Sequence, residues 1–529
     1  MNKLFAHRSV ICFYIVITLL FSNIFKLTTI CTKQYDLVQI EQSQYRVTVS
    51  NLRGTIYDCN MTPLTNNVME YTAAILPTPD AITMLSEKLN NQDFEDAVES
   101  LRKNKPTICV VPKKISNDSI TTTAVYRKDK SNSTACHILG YTDSSGHGVS
   151  GLEYAYDDLL YSGETLTAVF ATNGKGEAIC GIRPYFENDF SVLDNGVVST
   201  IDVNIQNIAE QSAQKLNSGC IIVAEASNAK IRALVSVPTF NIENLSGSLN
   251  DDAFPLVNRA LTAYSVGSVF KPCVAAAALE KNLGSYSFEC TGGLKIGDRI
   301  FKCHNTSGHG VMNLESALAQ SCNCFFYDFA ISLGGSSIYK MASSLNFGMH
   351  LCLADNIYTA KGNLPKSSTL ATDAAVANLS IGQGELLVSP VSMLPLYCAI
   401  ATDGSYYVPS LVEKTLKDGE ETQYNIGSPT KVMSSYTASI LRKYLQTVIT
   451  DGTGSEAKPK CCDAAGKTAT AQTGRYYDNG VEITNSWFCG FFPADNPQYV
   501  VIVMSDGKLN VSTASIFAEI ADGITELTG

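Results

Sequence analysis

The chain has 529 residues, 45% of them hydrophobic and 17% charged, which is enough apolar content for a buried core in two or three domains and too much for a disordered polymer. A net charge of −11 excludes a phosphate-tracking surface built on clustered Lys and Arg, so nucleic acid is not an expected partner. Seventeen cysteines without CxxC spacing, and six histidines without an HExxH or paired pattern, imply no metal site and no cofactor.

Lys3, His7 and Arg8 precede an apolar run from Val10 to Leu27 that is interrupted by Ser22, Asn23 and Lys26. The run is near the lower limit for crossing hydrocarbon, and a signal-peptide core is the alternative, but no small-x-small cleavage site follows it. The expectation is a cytoplasmic stretch at 1–9 and a transmembrane signal anchor at 10–27. Everything from about Gln34 onward then lies outside the membrane, with the chain held single-pass in the cell membrane.

Residues 35–190 alternate short β-rich runs (YRVTVS, TIYD, AAILPT) with polar turns and one helical stretch around Ala81 to Leu101, as an elongated non-catalytic pedestal would. A second domain is expected over 191–529. The strand-like GVVSTID leads there into an amphipathic helix (NIQNIAEQSAQKL), and the apolar strands CIIVAEA and IRALVSV flank the tight turn Ser227-Asn228-Ala229-Lys230. Cys290 and Cys303 flank a hairpin, GGLKIGDRIF, and are placed to bridge it, with free thiols as the alternative. A second long hairpin, WFCGFFPADNPQYVVIVMSDG, precedes a closing helix from about Thr513 to Leu527. Strands adjacent in an antiparallel sheet and flanked by helices define an α+β domain.

A serine followed three residues later by lysine puts a hydroxyl and an amine on one helical face, where the amine can take the hydroxyl proton if its own pKa is lowered. The pattern occurs at Ser100, Ser227, Ser268, Ser337, Ser428, Ser455 and Ser505. Context separates Ser268. Ser227 and Ser505 fall in hairpin turns, Ser428 precedes proline, Ser455 lies in a Gly-rich loop, Ser100 ends a charged helix and Ser337 starts a plain one. Ser268 follows Gly267 and opens SVFKPCVAAAALEK, and Pro272 is tolerated best in a first turn, so a helix must begin close to Ser268. Free N–H groups at that helix start favour negative charge on the Ser268 oxygen, although Ser268 as N-cap and Lys271 as a solvated first-turn residue is an equally open reading of this segment alone.

Two further motifs follow in order. AQSCNCFFYDFA carries Ser321-Cys322-Asn323, and AAGKTATAQTG carries Lys467-Thr468-Ala469-Thr470. Together with Ser268-x-x-Lys271 they resemble the SxxK, SxN and KTG motifs of penicillin-binding proteins. RGTIYD, GVSGLEYAYDDLL, TIDVNIQ, NRALTAYSVGSVFKP, LSIGQGELLVSP and SWFCGFFPADNPQY extend the resemblance across nearly the whole chain. With no region large enough for a glycosyltransferase domain, the match is to the monofunctional class B group.

The resemblance implies a serine transpeptidase/β-lactamase-like domain and a peptidoglycan D,D-transpeptidase that β-lactams inhibit covalently. Ser268 would attack the penultimate D-alanine of a stem peptide, Lys271 would accept its proton and Ser321 would relay a proton to the leaving amine. Asn323, Lys467 and Thr468 would bind the donor peptide, and the N–H groups of Ser268 and Thr470 would form the oxyanion hole. A membrane-embedded glycosyltransferase is the implied partner. Ala469 departs from the family's glycine, so the sequence also allows a catalytically silent scaffold of a wall-synthesis complex. A D,D-carboxypeptidase or β-lactamase is the enzymatic rival.

Overall fold

The computed structural model describes residues 2–33, 44–89, 91–127, 134–188, 194–242, 244–477, 479–507 and 511–528. The chain divides into two compact units, one of Met1–Leu52, Asn67–Arg127 and Gly163–Leu193, the other of Arg53–Asn66, Lys128–Ser162 and Asp194–Gly529.

The first unit holds two three-stranded sheets. One orders Gln44–Arg53, Tyr161–Ala171 and Tyr185–Glu187, and the other sets Val68–Ile75 between Thr107–Val111 and Ile120–Arg127. The helical stretch expected around 81–101 is two helices, Pro79–Ser86 and Asn91–Arg102. Thr78 caps the first through its hydroxyl. The N-terminal helix, Asn2–Lys33, leaves large apolar side chains such as Phe21 and Phe25 in solvent. Among the described residues no helix is long and apolar enough to cross a membrane.

The second unit is built on a five-stranded antiparallel sheet in the order Ile231–Val237, Gly219–Glu225, Tyr499–Asp506, Glu482–Phe492, Ala465–Tyr476. Two hairpins distant in sequence thus meet through Gly219–Glu225 and Tyr499–Asp506, whose apolar side chains are wholly buried. Val203–Ala213 and Thr513–Thr528 cover one face with a cluster that includes Ile205, Ile221, Val503 and Phe517. The opposite face shares one apolar cluster with Lys271–Leu279, Asn323–Leu333 and Leu394–Ala401, the last lying directly against Glu482–Phe492 and Tyr499–Asp506. This is the α+β architecture expected from the sequence.

The segments RGTIYD and GVSGLEYAYDDLL also belong to this unit, and Arg53 joins them. Its guanidinium contacts Glu153 at 2.6 Å and Asp157 at 2.8 Å and donates to the Glu153 carbonyl at 2.8 Å, with only 11% of the side chain exposed. Such a planar fork presents its donors in fixed directions to carboxylates on two sides, a geometry that the single nitrogen of a lysine does not offer.

Candidate active site

Gly267–Phe270 form one 3-10 turn that runs directly into the helix Lys271–Leu279, with Pro272 in its first turn. Gly267 adopts φ +64, which only glycine accepts without strain. Three hydrogen bonds fix the turn from outside. The Gly267 N–H donates to the Gly382 carbonyl at 2.9 Å, Trp487 Nε1 donates to the Ser265 carbonyl at 3.0 Å, and the Tyr397 hydroxyl donates to the Val269 carbonyl at 3.0 Å. Ser268 is held among these braces and stays partly exposed.

Lys271 is fully buried. Its Nζ donates to the Ser321 carbonyl at 2.7 Å, the Ser321 hydroxyl at 3.2 Å and Asn323 Oδ1 at 2.8 Å, and lies 5.2 Å from the centre of the Phe326 ring. Burial brings its pKa down from 10.5 to about 7, against a smaller opposing pull from Cys322, Cys303 and Cys324. Ser321, at φ +54, is a left-handed residue other than glycine, a conformation that persists only where its surroundings enforce it.

Lys467 to Thr470 lie on Ala465–Tyr476, the edge strand of the sheet, so its outer backbone groups have no strand neighbour. Successive side chains on a strand alternate faces. Lys467, Ala469 and Ala471 are buried and Thr468 and Thr470 less so, and Thr468, Ala469 and Thr470 line a cavity of about 250 Å³ with Ser486, Trp487 and Thr513. Lys467 Nζ donates to the Thr468 carbonyl at 3.2 Å, and burial, with the charge of Lys271 second, holds this amine well below its ordinary value. The Thr468 and Thr453 hydroxyls are 3.0 Å apart. A methyl built on Gly267 would stand 3.1 Å from the Ala471 methyl and 3.4 Å from that of Ala469. The alanine in place of the family glycine therefore packs against the backbone beside Ser268.

Of the residues singled out in the sequence, Lys271, Ser321 and Asn323 make direct bonds, Lys467 joins them through its field, and Ala469 flanks Gly267 next to Ser268. Thr468 and Thr470 line the cavity at the edge strand. Sequence reasoning missed Tyr397, Gly382 and Trp487. The last two lie in segments quoted for their family likeness, but nothing in a linear pattern shows that they brace a turn more than a hundred residues away. It also missed a cluster next to the site. The ligand atoms of Cys290, Cys303, His309 and Cys322 all lie within 4.8 Å of one another, and Cys290 and Cys303 are free thiols rather than a bridge. Among the described residues these four are the ones that could hold a metal ion.

A half-exposed serine at a helix start, followed by a buried lysine of lowered pKa bonded to a Ser-x-Asn segment, defines an active-serine enzyme of acyl transfer. Residues 219–526 match the family profile described as the penicillin binding protein transpeptidase domain. The chain belongs to that family, as a class B penicillin-binding protein. It is 27% identical over 492 residues to Stage V sporulation protein D of Bacillus subtilis, covering 86% of this chain and 74% of that one. It is 28% identical over 500 residues to penicillin-binding protein PbpB of Mycolicibacterium smegmatis, covering 86% and 73%. The solved structure of penicillin binding protein 3 from Mycobacterium tuberculosis, complexed with aztreonam, aligns with TM-score 0.66 at 22% identity over 92% of this chain and 97% of that one, a likeness of fold.

Proposed function

We propose that the protein is a peptidoglycan D,D-transpeptidase that crosslinks stem peptides through an acyl-enzyme on Ser268 and is acylated at the same oxygen by β-lactams. The observation that carries this reading is the buried Lys271 amine, three residues from the serine and near neutrality in its pKa. A neutral amine accepts the Ser268 proton as the oxygen attacks the penultimate D-alanine carbonyl; the terminal D-alanine leaves, taking a proton through Ser321. Asn323, Lys467 and Thr468 hold the donor peptide, Lys467 and Thr468 at its terminal carboxylate. The N–H groups of Ser268 and Thr470 receive the oxyanion, each such donor being worth about 3 to 4 kcal/mol. An amino group of a neighbouring strand then takes the acyl group.

The exposed apolar side chains of Asn2–Lys33 support a single-pass anchor at 10–27, with the catalytic unit outside the membrane. As a helix the run 10–27 extends about 27 Å, close to the roughly 30 Å of a hydrocarbon core. In this reading 35–190 is the pedestal, with Arg53–Asn66 and Lys128–Ser162 folded into the unit of Asp194–Gly529, 191–529 is the transpeptidase domain, and a membrane-embedded glycosyltransferase supplies the strands. The test is labelling with a fluorescent penicillin, native protein against Ser268→Ala. A label that persists and is lost in the variant supports the transpeptidase. Rapid release by hydrolysis would assign a β-lactamase or carboxypeptidase, and absence of label on folded native protein would assign a silent scaffold.

A further inference from the structure

We propose that Cys290, Cys303, His309 and Cys322 form a structural zinc-type centre, a closed tetrahedral Cys3His site that holds the Ser321-Cys322-Asn323 segment in place. The four ligands come from four short segments that converge. Cys290 ends the strand Ser287–Cys290, Cys303 follows the strand Arg299–Lys302, His309 precedes the strand Gly310–Asn313, and Cys322 caps the helix Asn323–Leu333. The three thiols are buried, and His309 is partly so.

Three of the six ligand separations fit a tetrahedral metal site. A tetrahedral ion with bonds of about 2.3 Å to sulfur and 2.0–2.1 Å to nitrogen sets its ligands about 3.8 Å apart sulfur to sulfur and about 3.6 Å apart sulfur to nitrogen. The Cys303 and Cys322 sulfurs are 3.9 Å apart, and His309 Nδ1 is 3.6 Å from both the Cys290 and the Cys303 sulfur. A disulfide would need about 2.05 Å. The backbone is shaped to the same end. Gly292 and Gly308 take φ +92 and +84 where an added carbon would strike backbone at 2.1 and 2.3 Å, and these close turns let the His309 N–H donate to the Cys290 carbonyl and the Cys303 N–H to the Gly292 carbonyl, both at 3.0 Å. The Phe325 N–H points at the Cys322 sulfur from 3.4 Å, a donor suited to a metal-bound thiolate.

Binding forms three metal–sulfur bonds and one metal–nitrogen bond and releases the three thiol protons to solvent, so no oxidant or reductant is needed. Four protein ligands leave no open position, and the ion takes no part in acyl transfer. Its effect is positional. Cys322 stands between the left-handed Ser321 and Asn323, the two residues that accept from Lys271, so the ion fixes the segment that the lysine depends on. That consequence rests on the proposed function; ion binding itself does not.

Metal content of the full chain, purified reduced and dialysed against zinc, tests the site directly by mass spectrometry. The expected result is one zinc per chain, replaceable by cobalt with the absorption of a tetrahedral thiolate complex. Removing the exposed thiols together, as Cys180→Ser, Cys352→Ser and Cys461→Ser, should leave that ion in place, whereas Cys322→Ser or His309→Ala should lose it. Chelator treatment of the native protein, which avoids a variant that fails to fold, should lower its Tm and slow penicillin labelling, and zinc should restore both. Native, reduced and folded protein that binds no zinc, or loses it with the exposed thiols, overturns the site. Zinc bound in full with no change in labelling on its removal overturns the positional role alone.

Discussion

If Lys271 is the base, penicillin acylation should follow the deprotonation of a single buried amine. Lys271 has no exposed surface, and burial carries its pKa from 10.5 to about 7. A change of that size disfavours the charged amine by about 5 kcal/mol. The rate constant for labelling should rise about tenfold per pH unit below 7 and level off above it, with about a tenth of the plateau rate at pH 6 and most of it at pH 8. Stopped-flow labelling from pH 5.5 to 9.5 measures this. An amine left at its ordinary value would still give a tenfold rise between pH 8 and 9, and that profile, or a flat one, would refute the assignment. The linked effect on stability has a definite sign. Between about pH 7 and 10.5 the unfolded chain binds the Lys271 proton and the folded chain does not, so this group's contribution to stability increases as pH rises through that window. Lys467, also lowered, acts in the same direction.

Two substitutions probe the packing beside the serine. Gly267→Ala puts a methyl on a φ +64 residue at 3.1 Å from the Ala471 methyl, which should cost about 1–3 kcal/mol from backbone strain alone; chemical denaturation should show the loss and labelling should slow. Ala469→Gly removes a buried methyl and loosens a strand, a cost of about 1 kcal/mol, and labelling should stay within about tenfold of native; a hundredfold acceleration would show instead that the methyl obstructs the cleft.

Much of the fold was legible because its signals are local. The strands of CIIVAEA and IRALVSV, the turn between them, the terminal hairpin and the closing helix each announce themselves by apolar runs and turn residues within a dozen positions. The expected helix around 81–101 is two helices, and the Asn-Asn pair in the sequence is the cap-favouring signal that marks such a break. The Ser268 helix start was legible from Gly267 and Pro272, which only one backbone arrangement satisfies. The braces on that turn were not, since Tyr397 and Trp487 act through hydrogen bonds to main-chain carbonyls that carry no residue code. The thiol cluster was hidden for the same reason, its ligands being spread over Cys290, Cys303, His309 and Cys322 with no short repeat between them.

The departure at position 469 shows how such hidden partners change an argument. Read along the chain, Ala469 is a lost glycine on the strand that should admit substrate, and a silent scaffold follows naturally. In three dimensions the alanine is buried, borders the cavity of Thr468 and Thr470, and lies beside Gly267, which has no side chain to oppose it. The space a methyl needs at 469 is supplied by the absence of one at 267. Lys271 meanwhile keeps the burial that lowers its pKa, and its bonds to Ser321 and Asn323 fix the amine in place. A decaying site would have no physical reason to keep an amine wholly buried at such electrostatic cost, because any neutral side chain of similar size would fill the position more stably.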